Sequence, residues 1–300
     1  EIRLSPQLHT WIYGYFQHSF LQHIRGGFRP IVFLQHGIWV GFFIFMTVIA
    51  ALGLWKATHQ PKWILAALWL FLVLVLSRNL GATAVCLLCA LVFMLAGRRL
   101  QTMFAVAIAM IVLSYPTLRQ AQFVPIDKII ALASSISPDR AQSLQFRLDN
   151  EDELLVRAAL KPLAGWGLYN REKIFDENGR RITTVDGLWV ITIGTRGWIG
   201  YVGLFGLLVL PVACLWLGRR RSSPRAETMA LVMIITGNLI YVIPNATLTA
   251  IGWLVFGALT GFWRYYRATQ PFEAEAKTAS LPEQNRSQSY TRFPKGDPAP

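Results

Sequence analysis

Three charged residues in this sequence stand where chemistry can be done, and each has a plain structural alternative. Arg78, in Ser77-Arg78-Asn79-Leu80-Gly81, separates two apolar runs. A guanidinium at that depth binds phosphate oxygens in bidentate fashion, or snorkels to the headgroup region. Arg147 stands just before Asn150 to Glu153, a segment with capping-box spacing, and reads as an anion ligand or as one half of a surface ion pair. Asp186 directly precedes a long apolar run, and its plain reading is the N-cap of that helix. Gly165 and Gly167, in Pro162-Leu163-Ala164-Gly165-Trp166-Gly167, form a G-x-G after the capped helix, and by itself such a pair only ends a helix.

Other reactive side chains read as packing. Cys86 and Cys89 form a C-x-x-C inside the apolar run 81 to 96 with no second pair of ligands, so they fill space. His9, His18 and His23 fit no common metal-ligand spacing and lie among aromatic residues, the composition of an interfacial segment. No metal and no cofactor are expected. Asn245-Ala246-Thr247 matches a glycosylation sequon, but in a short turn against two apolar runs it carries no weight.

The elements that must hold these residues are membrane helices. The chain is 54% hydrophobic and only 15% charged, with eleven tryptophans, whereas soluble domains carry about a quarter charged residues. Runs near 34 to 55, 62 to 77, 81 to 96, 101 to 115, 197 to 217, 227 to 243 and 247 to 263 have the length and character of spans. The fold class is therefore all-α and polytopic, about seven transmembrane helices with a large, mostly helical extracytoplasmic loop.

The apolar stretch from Leu188 to Gly218 is too long for one crossing, at about 46 Å against a core of about 30 Å. Gly194, Gly197 and Gly200, with Arg196 among them, mark where it should break and enter the bilayer.

The net charge of +13 does not indicate a nucleic-acid partner. Lys56, Lys62, Arg98, Arg99, Arg219, Arg220, Arg221, Arg225, Arg264 and Arg267 all flank apolar runs, the placement that keeps connections in the cytoplasm. With those connections inside, the amino end and the loop from 116 to about 190 fall outside. The organisation is then an outer interfacial segment at 1–33, four spans within 34–115, a periplasmic loop at 116–190, three spans within 191–267 and a disordered cytoplasmic tail at 268–300. The opening at Glu1 without a methionine reads as a fragment lacking upstream spans.

Ten of the sixteen acidic residues fall in the loop, among them Asp149, Glu151, Asp152, Glu153 and Asp186. Ser137-Pro138 predicts one helix start, the capping box at Asn150 a second, and Asp176-Glu177-Asn178-Gly179 a turn at the tip of a small hairpin.

From roughly Ser77 to Leu217 the order of these features resembles the bacterial O-antigen ligase and O-antigen polymerase group. The shared pattern is a serine-arginine turn before a small-residue span, a large outer loop, an arginine ahead of a helix ending in proline and G-x-G, and a polar residue before Gly197-Trp198-Ile199-Gly200. Phe28-Arg29-Pro30 and His36-Gly37 are also similar to the stretch preceding a span in many such polymerases. Many ligases of the group carry histidine where Asp186 falls, which sets this chain with polymerase-like or divergent members.

The resemblance implies a metal-independent glycosyltransferase of the bacterial inner membrane. Its donor would be a lipid-linked, undecaprenyl-pyrophosphate oligosaccharide and its acceptor a saccharide, with the lipid bilayer as the remaining partner. Arg78 and Arg147 would hold the carrier pyrophosphate and Asp186 would act as general base, with Gly165, Gly167 and Arg196 in the substrate cleft. Two rival readings are a transporter or flippase of lipid-linked substrates and a non-catalytic assembly component. The first calls for charges at mid-membrane depth and repeated halves; the sequence shows neither.

Overall fold

The computed structural model describes residues 5–15, 30–32, 34, 36–136, 138–184, 186–218 and 224–263. Among these, regular structure is helical: α1 (Ser5–Tyr13), α2 (Gly37–Thr58), α3 (Pro61–Leu76), α4 (Leu80–Leu95), α5 (Arg98–Gln120), α6 (Ile126–Ile136), α7 (Pro138–Ala159), α8 (Leu188–Gly218), α9 (Ala226–Val242) and α10 (Ala250–Trp263). The expectations for His18, His23, Phe28, Arg29, the basic residues Arg219 to Arg221, Arg264 and Arg267, and the tail 268–300 lie outside the described residues. Residues 1–261 form one compact unit; of the second, 262–300, only Phe262 and Trp263 are described, and both are helical.

Each of the seven apolar runs is a helix. Three helices, α2, α5 and α8, are long and apolar enough to cross a membrane; α3, α4, α9 and α10 are equally apolar but shorter. Their outer faces explain the composition. Leu65, Leu68, Trp69 and Leu72 on α3, Leu91 and Leu95 on α4, and Ile199, Val202 and Leu217 on α8 are all exposed. A continuous apolar exterior of this extent suits lipid and is disfavoured in water.

The bundle is organised around α9, which is buried along most of its length and packs against α2, α4, α5 and α8. Small residues permit the close approach, as expected where packing rather than water drives association. A Cβ on Gly237 would fall on the Phe45 ring, and one on Gly53 would lie 2.5 Å from the Cβ of Ala230. The Tyr201 hydroxyl donates to the Val112 carbonyl (2.7 Å), fastening α8 to α5.

One polar knot lies inside this packing. Asn79 caps α4 by accepting from the Ala82 amide (3.4 Å) and donates to the carbonyls of Gly37 and Ile38 (both 3.4 Å). It also accepts from the Tyr241 hydroxyl (3.1 Å). Three helix ends thus converge on one buried amide, next to Gly41, where a Cβ would overlap the Asn79 side chain.

The segment after α5 departs from the expected helix starts. α5 continues through Pro116 to Gln120 rather than ending at 115. Pro138 opens α7, with Ser137 outside the described residues, and α7 then runs unbroken to Ala159. No helix begins at Asn150. Asn150 is buried inside α7, donates to the Phe146 carbonyl (2.6 Å) and accepts from the Thr184 amide (2.8 Å); its capping chemistry serves a tertiary contact instead. The small hairpin is present: Phe175 and Arg181 form an antiparallel bridge, and Asp176 accepts from the amides of Asn178 (3.0 Å) and Arg180 (2.6 Å).

The predicted break in the long run falls at Gly197, whose φ of 63° and ψ of −166° are non-helical. The stretch from Trp198 to Gly218 is then about 31 Å long at 1.5 Å per residue, the thickness of a hydrocarbon core.

Candidate functional site

A helix break frees backbone groups that must find other partners. At Gly197 those partners come from the loop that follows α7. The Trp166 and Gly167 amides donate to the carbonyls of Gly194 and Thr195 (both 2.8 Å), and the Trp198 and Ile199 amides donate to the carbonyls of Pro162 (2.8 Å) and Leu163 (3.2 Å). Glycine is required on both sides. A Cβ on Gly165 (φ 67°) would lie 2.6 Å from the Arg196 and Gly197 nitrogens, and one on Gly197 would overlap the Leu163 carbonyl. Gly165, Gly167 and Arg196, expected in a substrate cleft, are therefore brought together as a backbone staple. The Arg196 side chain is exposed.

The staple fixes the carboxyl end of α7 against α8, and α7 closes a cavity against the ends of α5 and α9. Trp166 strengthens the corner: its indole N–H donates to the Arg157 carbonyl (2.9 Å), while Arg157 and Lys161 stand over its ring at 4.3 and 4.4 Å. At the other side Arg119, buried at the end of α5, reaches the Asp152 carboxylate (2.8 Å) and the Leu148 carbonyl (3.3 Å).

The cavity so formed has a volume of about 130 Å³ and is lined by Tyr115, Arg147, Glu151, Thr184, Asp186 and Pro244, among others. At about 30 Å³ per water it holds roughly four waters, the space of a phosphate or part of a sugar ring. Arg147 and Asp186 meet in it: Nε lies 3.2 Å from Oδ2, with the two side chains 42% and 37% exposed. Both remain open to a ligand. Asp186 is not the N-cap of α8, because the Gly187 carbonyl accepts the first helical bond, from Ile191 (3.3 Å). Arg147 does not precede the helix but lies within it.

Glu151, one turn after Arg147 on the same face of α7, points into the same cavity. Burial is the main cause that raises its carboxyl from the ordinary 4.5 to about 7. Arg119 and the Trp189 indole pull it back down, while Asp152 and Asp186 push it up. The indole lies beside the carboxylate without completing a hydrogen bond: both Glu151 Oε2 and Trp189 Nε1 are buried without partners among the described residues. A carboxyl pushed up to about 7 in the wall of a cavity is suited to exchange a proton near neutral pH.

The sequence reading did not single out Glu151. Its visible signal was the four-residue spacing from Arg147, obscured by the assignment of Asn150 to Glu153 to a helix start. Arg78 is not in the cavity wall. It is exposed and occupies the left-handed region (φ 55°) on the turn between α3 and α4, between the buried Ser77 and Asn79. Asn79 next to it binds Tyr241, two residues before Ile243 in the cavity wall, so Arg78 belongs to the same end of the bundle. Comparison of the chain with protein-family models, curated proteins and solved structures finds no match.

Proposed function

We propose that this chain is a membrane-embedded glycosyltransferase that acts on a saccharide carried by a lipid pyrophosphate, at the outer end of the bundle. The observation that carries the reading is the meeting of Arg147, Asp186 and Glu151 in one cavity at the junction of the loop domain with the apolar helices. A polyprenyl carrier would lie along the exposed leucines and present its headgroup at this depth.

Transfer needs charge stabilisation at the leaving group and a place for one proton. Arg147 supplies a guanidinium to the pyrophosphate, and Asp186 orients it. The acceptor hydroxyl oxygen attacks the anomeric carbon and forms the new glycosidic bond. The bond from that carbon to the pyrophosphate oxygen breaks, and the pyrophosphate leaves with its electron pair. The hydroxyl proton passes to Glu151, whose carboxyl is pushed up to about 7. This gives the base role to Glu151 rather than to Asp186, whose carboxylate stands 3.2 Å from the Arg147 guanidinium.

The test is complementation in the producing host, with the length of surface polysaccharide as readout and membrane levels of each variant verified. Loss of long chains in Arg147→Ala and Glu151→Gln, with protein inserted, is the expected result. An Arg78→Ala variant tested beside them decides whether the α3–α4 turn also meets the carrier. Normal polymer in Arg147→Ala and Glu151→Gln would move the assignment to a transporter or an assembly component.

A further inference from the structure

The backbone staple between α7 and α8 does more than satisfy a helix break: it fixes a short loop at the level where α8 begins its crossing. The Ile199 amide is bonded to the Leu163 carbonyl, and the stretch that starts beside it, Trp198 to Gly218, has the length of a hydrocarbon core. Leu163 therefore stands at the edge of that core. Leu160, Leu163 and Leu168 are 70%, 66% and 60% exposed. Through Ile199 they join the apolar outer face of α8, on which Ile199, Val202, Leu210 and Leu217 are all exposed and share one side of the helix. A patch that continues a lipid-facing stripe calls for the same solvent.

The charges among these leucines have one sign. Lys161, Arg171 and Arg196 are exposed, and Arg157 is half-buried. Arg157 donates twice to the Arg171 carbonyl (3.1 and 2.6 Å), the Arg171 Nε donates to the Leu168 carbonyl (3.1 Å), and Arg157 and Lys161 stand over the Trp166 ring. All of these partners are neutral. None of the four cations forms an ion pair among the described residues. Of the nearby acids, Glu172 is buried against Gly194, and Glu153, one turn before Arg157 on α7, is exposed and offsets part of the charge.

Exposed leucines, the rings of Trp166 and Tyr169 and a surplus of cations are the composition that holds a segment at the boundary between acyl chains and headgroups. Apolar side chains enter the hydrocarbon, rings rest at its edge, and long basic side chains reach the phosphates.

We propose that this corner, residues 157–171 together with Arg196, is a contact surface for anionic phospholipid, with Leu160, Leu163 and Leu168 in the outermost acyl layer and Lys161, Arg171 and Arg196 on headgroup phosphates. It seats the carboxyl end of α7 on the leaflet that α8 enters. The inference is independent of the glycosyltransferase reading, because it uses neither Arg147, Glu151 nor Asp186.

The experiment places the photo-crosslinking residue benzoylphenylalanine at position 163 of the full chain, in nanodiscs of phosphatidylcholine with a minor share of phosphatidylglycerol, and identifies adducts by mass spectrometry. The same residue at position 178, on the exposed tip of the hairpin, is the water-facing control. Position 163 should capture phospholipid, with phosphatidylglycerol enriched over its share in the disc by about fivefold or more, the preference that one basic residue near an anionic surface supplies. Adding Lys161→Gln and Arg196→Gln, both at exposed positions, should bring that enrichment down by about fivefold or more. Adducts to protein in place of lipid, equal lipid capture at position 178, phosphatidylglycerol captured only in proportion to its share, or an enrichment unchanged in the double variant would overturn the proposal.

Discussion

Replacing Glu151 by glutamine should make the protein less sensitive to alkaline pH, and the size of the effect follows from the burial of one carboxyl. In the folded chain the group ionises at about 7, and in the unfolded chain near the ordinary 4.5. Between those values the folded state holds a proton that the unfolded state has released. By linkage, stability is then lost as pH rises through the window and is fully present below it. At 1.36 kcal/mol per pH unit the whole shift amounts to about 3 kcal/mol, of which roughly 2.5 kcal/mol falls between pH 5 and pH 8.

Glutamine keeps the shape and carries no charge, so any fixed cost of the exchange cancels when the two pH values are compared. Relative to the parent, Glu151→Gln should gain stability from pH 5 to pH 8. The gain corresponds to a relative rise in melting temperature of about 4 °C for a chain of this size, read by intrinsic tryptophan fluorescence in detergent.

The groups that face Glu151 set the opposing terms. Arg119 from α5 and Trp189 from α8 favour the ionised form; Asp152 on α7 and Asp186 ahead of α8 oppose it. Arg119→Gln should therefore widen the pH effect, and Asp186→Asn should narrow it. A melting difference between Glu151→Gln and parent that stays flat from pH 5 to pH 8 would refute the raised ionisation, and with it the use of this carboxyl as a base near neutrality.

Gly197→Ala should cost about 2 to 4 kcal/mol, because its backbone angles are reserved for glycine and its Cβ would strike the Leu163 carbonyl; Gly203→Ala, with nothing within 4 Å, is the control and should be neutral or slightly stabilising in the same melts. Asn79→Ala removes a cap and the hydrogen bonds that Asn79 makes to the Tyr241 hydroxyl and to two carbonyls, so a loss of about 2 to 3 kcal/mol is expected by thermal unfolding. A double-mutant cycle on Arg147 and Asp186 should show a stability coupling under about 1 kcal/mol, since both are substantially exposed. On the proposed transfer function, activity should fall about a hundredfold or more in either single variant.

The helices were legible in the sequence because their signal is local. A long apolar run announces itself without reference to any other part of the chain, and each of the seven runs became a helix, three of them long and apolar enough to cross a membrane. The break at Gly197 was legible for the same reason: a 31-residue run exceeds the bilayer, and only glycine can take the backbone angles that interrupt it. What the sequence did not carry was the partner of that break. Four backbone hydrogen bonds from residues 162–167 satisfy it, and backbone groups are the same at every position, so no residue type marks the acceptor segment.

The same distinction explains the site. Asn150 and Glu153 have capping-box spacing, and a local rule places a helix start there; yet an asparagine can spend the same donor and acceptor on a distant strand of backbone. Once Thr184 takes that role, α7 runs through, and Arg147 moves from the head of a helix onto its face. That shift brings Glu151 to the cavity, because residues four apart share a face only when both are helical. A short-range error in one cap thus hid the carboxyl whose ionisation burial perturbs. It was the burial contributed by α5 and α8, set by contacts more than thirty residues away, that pushed the carboxyl of Glu151 up to about 7, so a reading confined to spacing could find the ion pair's members but not the perturbed carboxyl beside them.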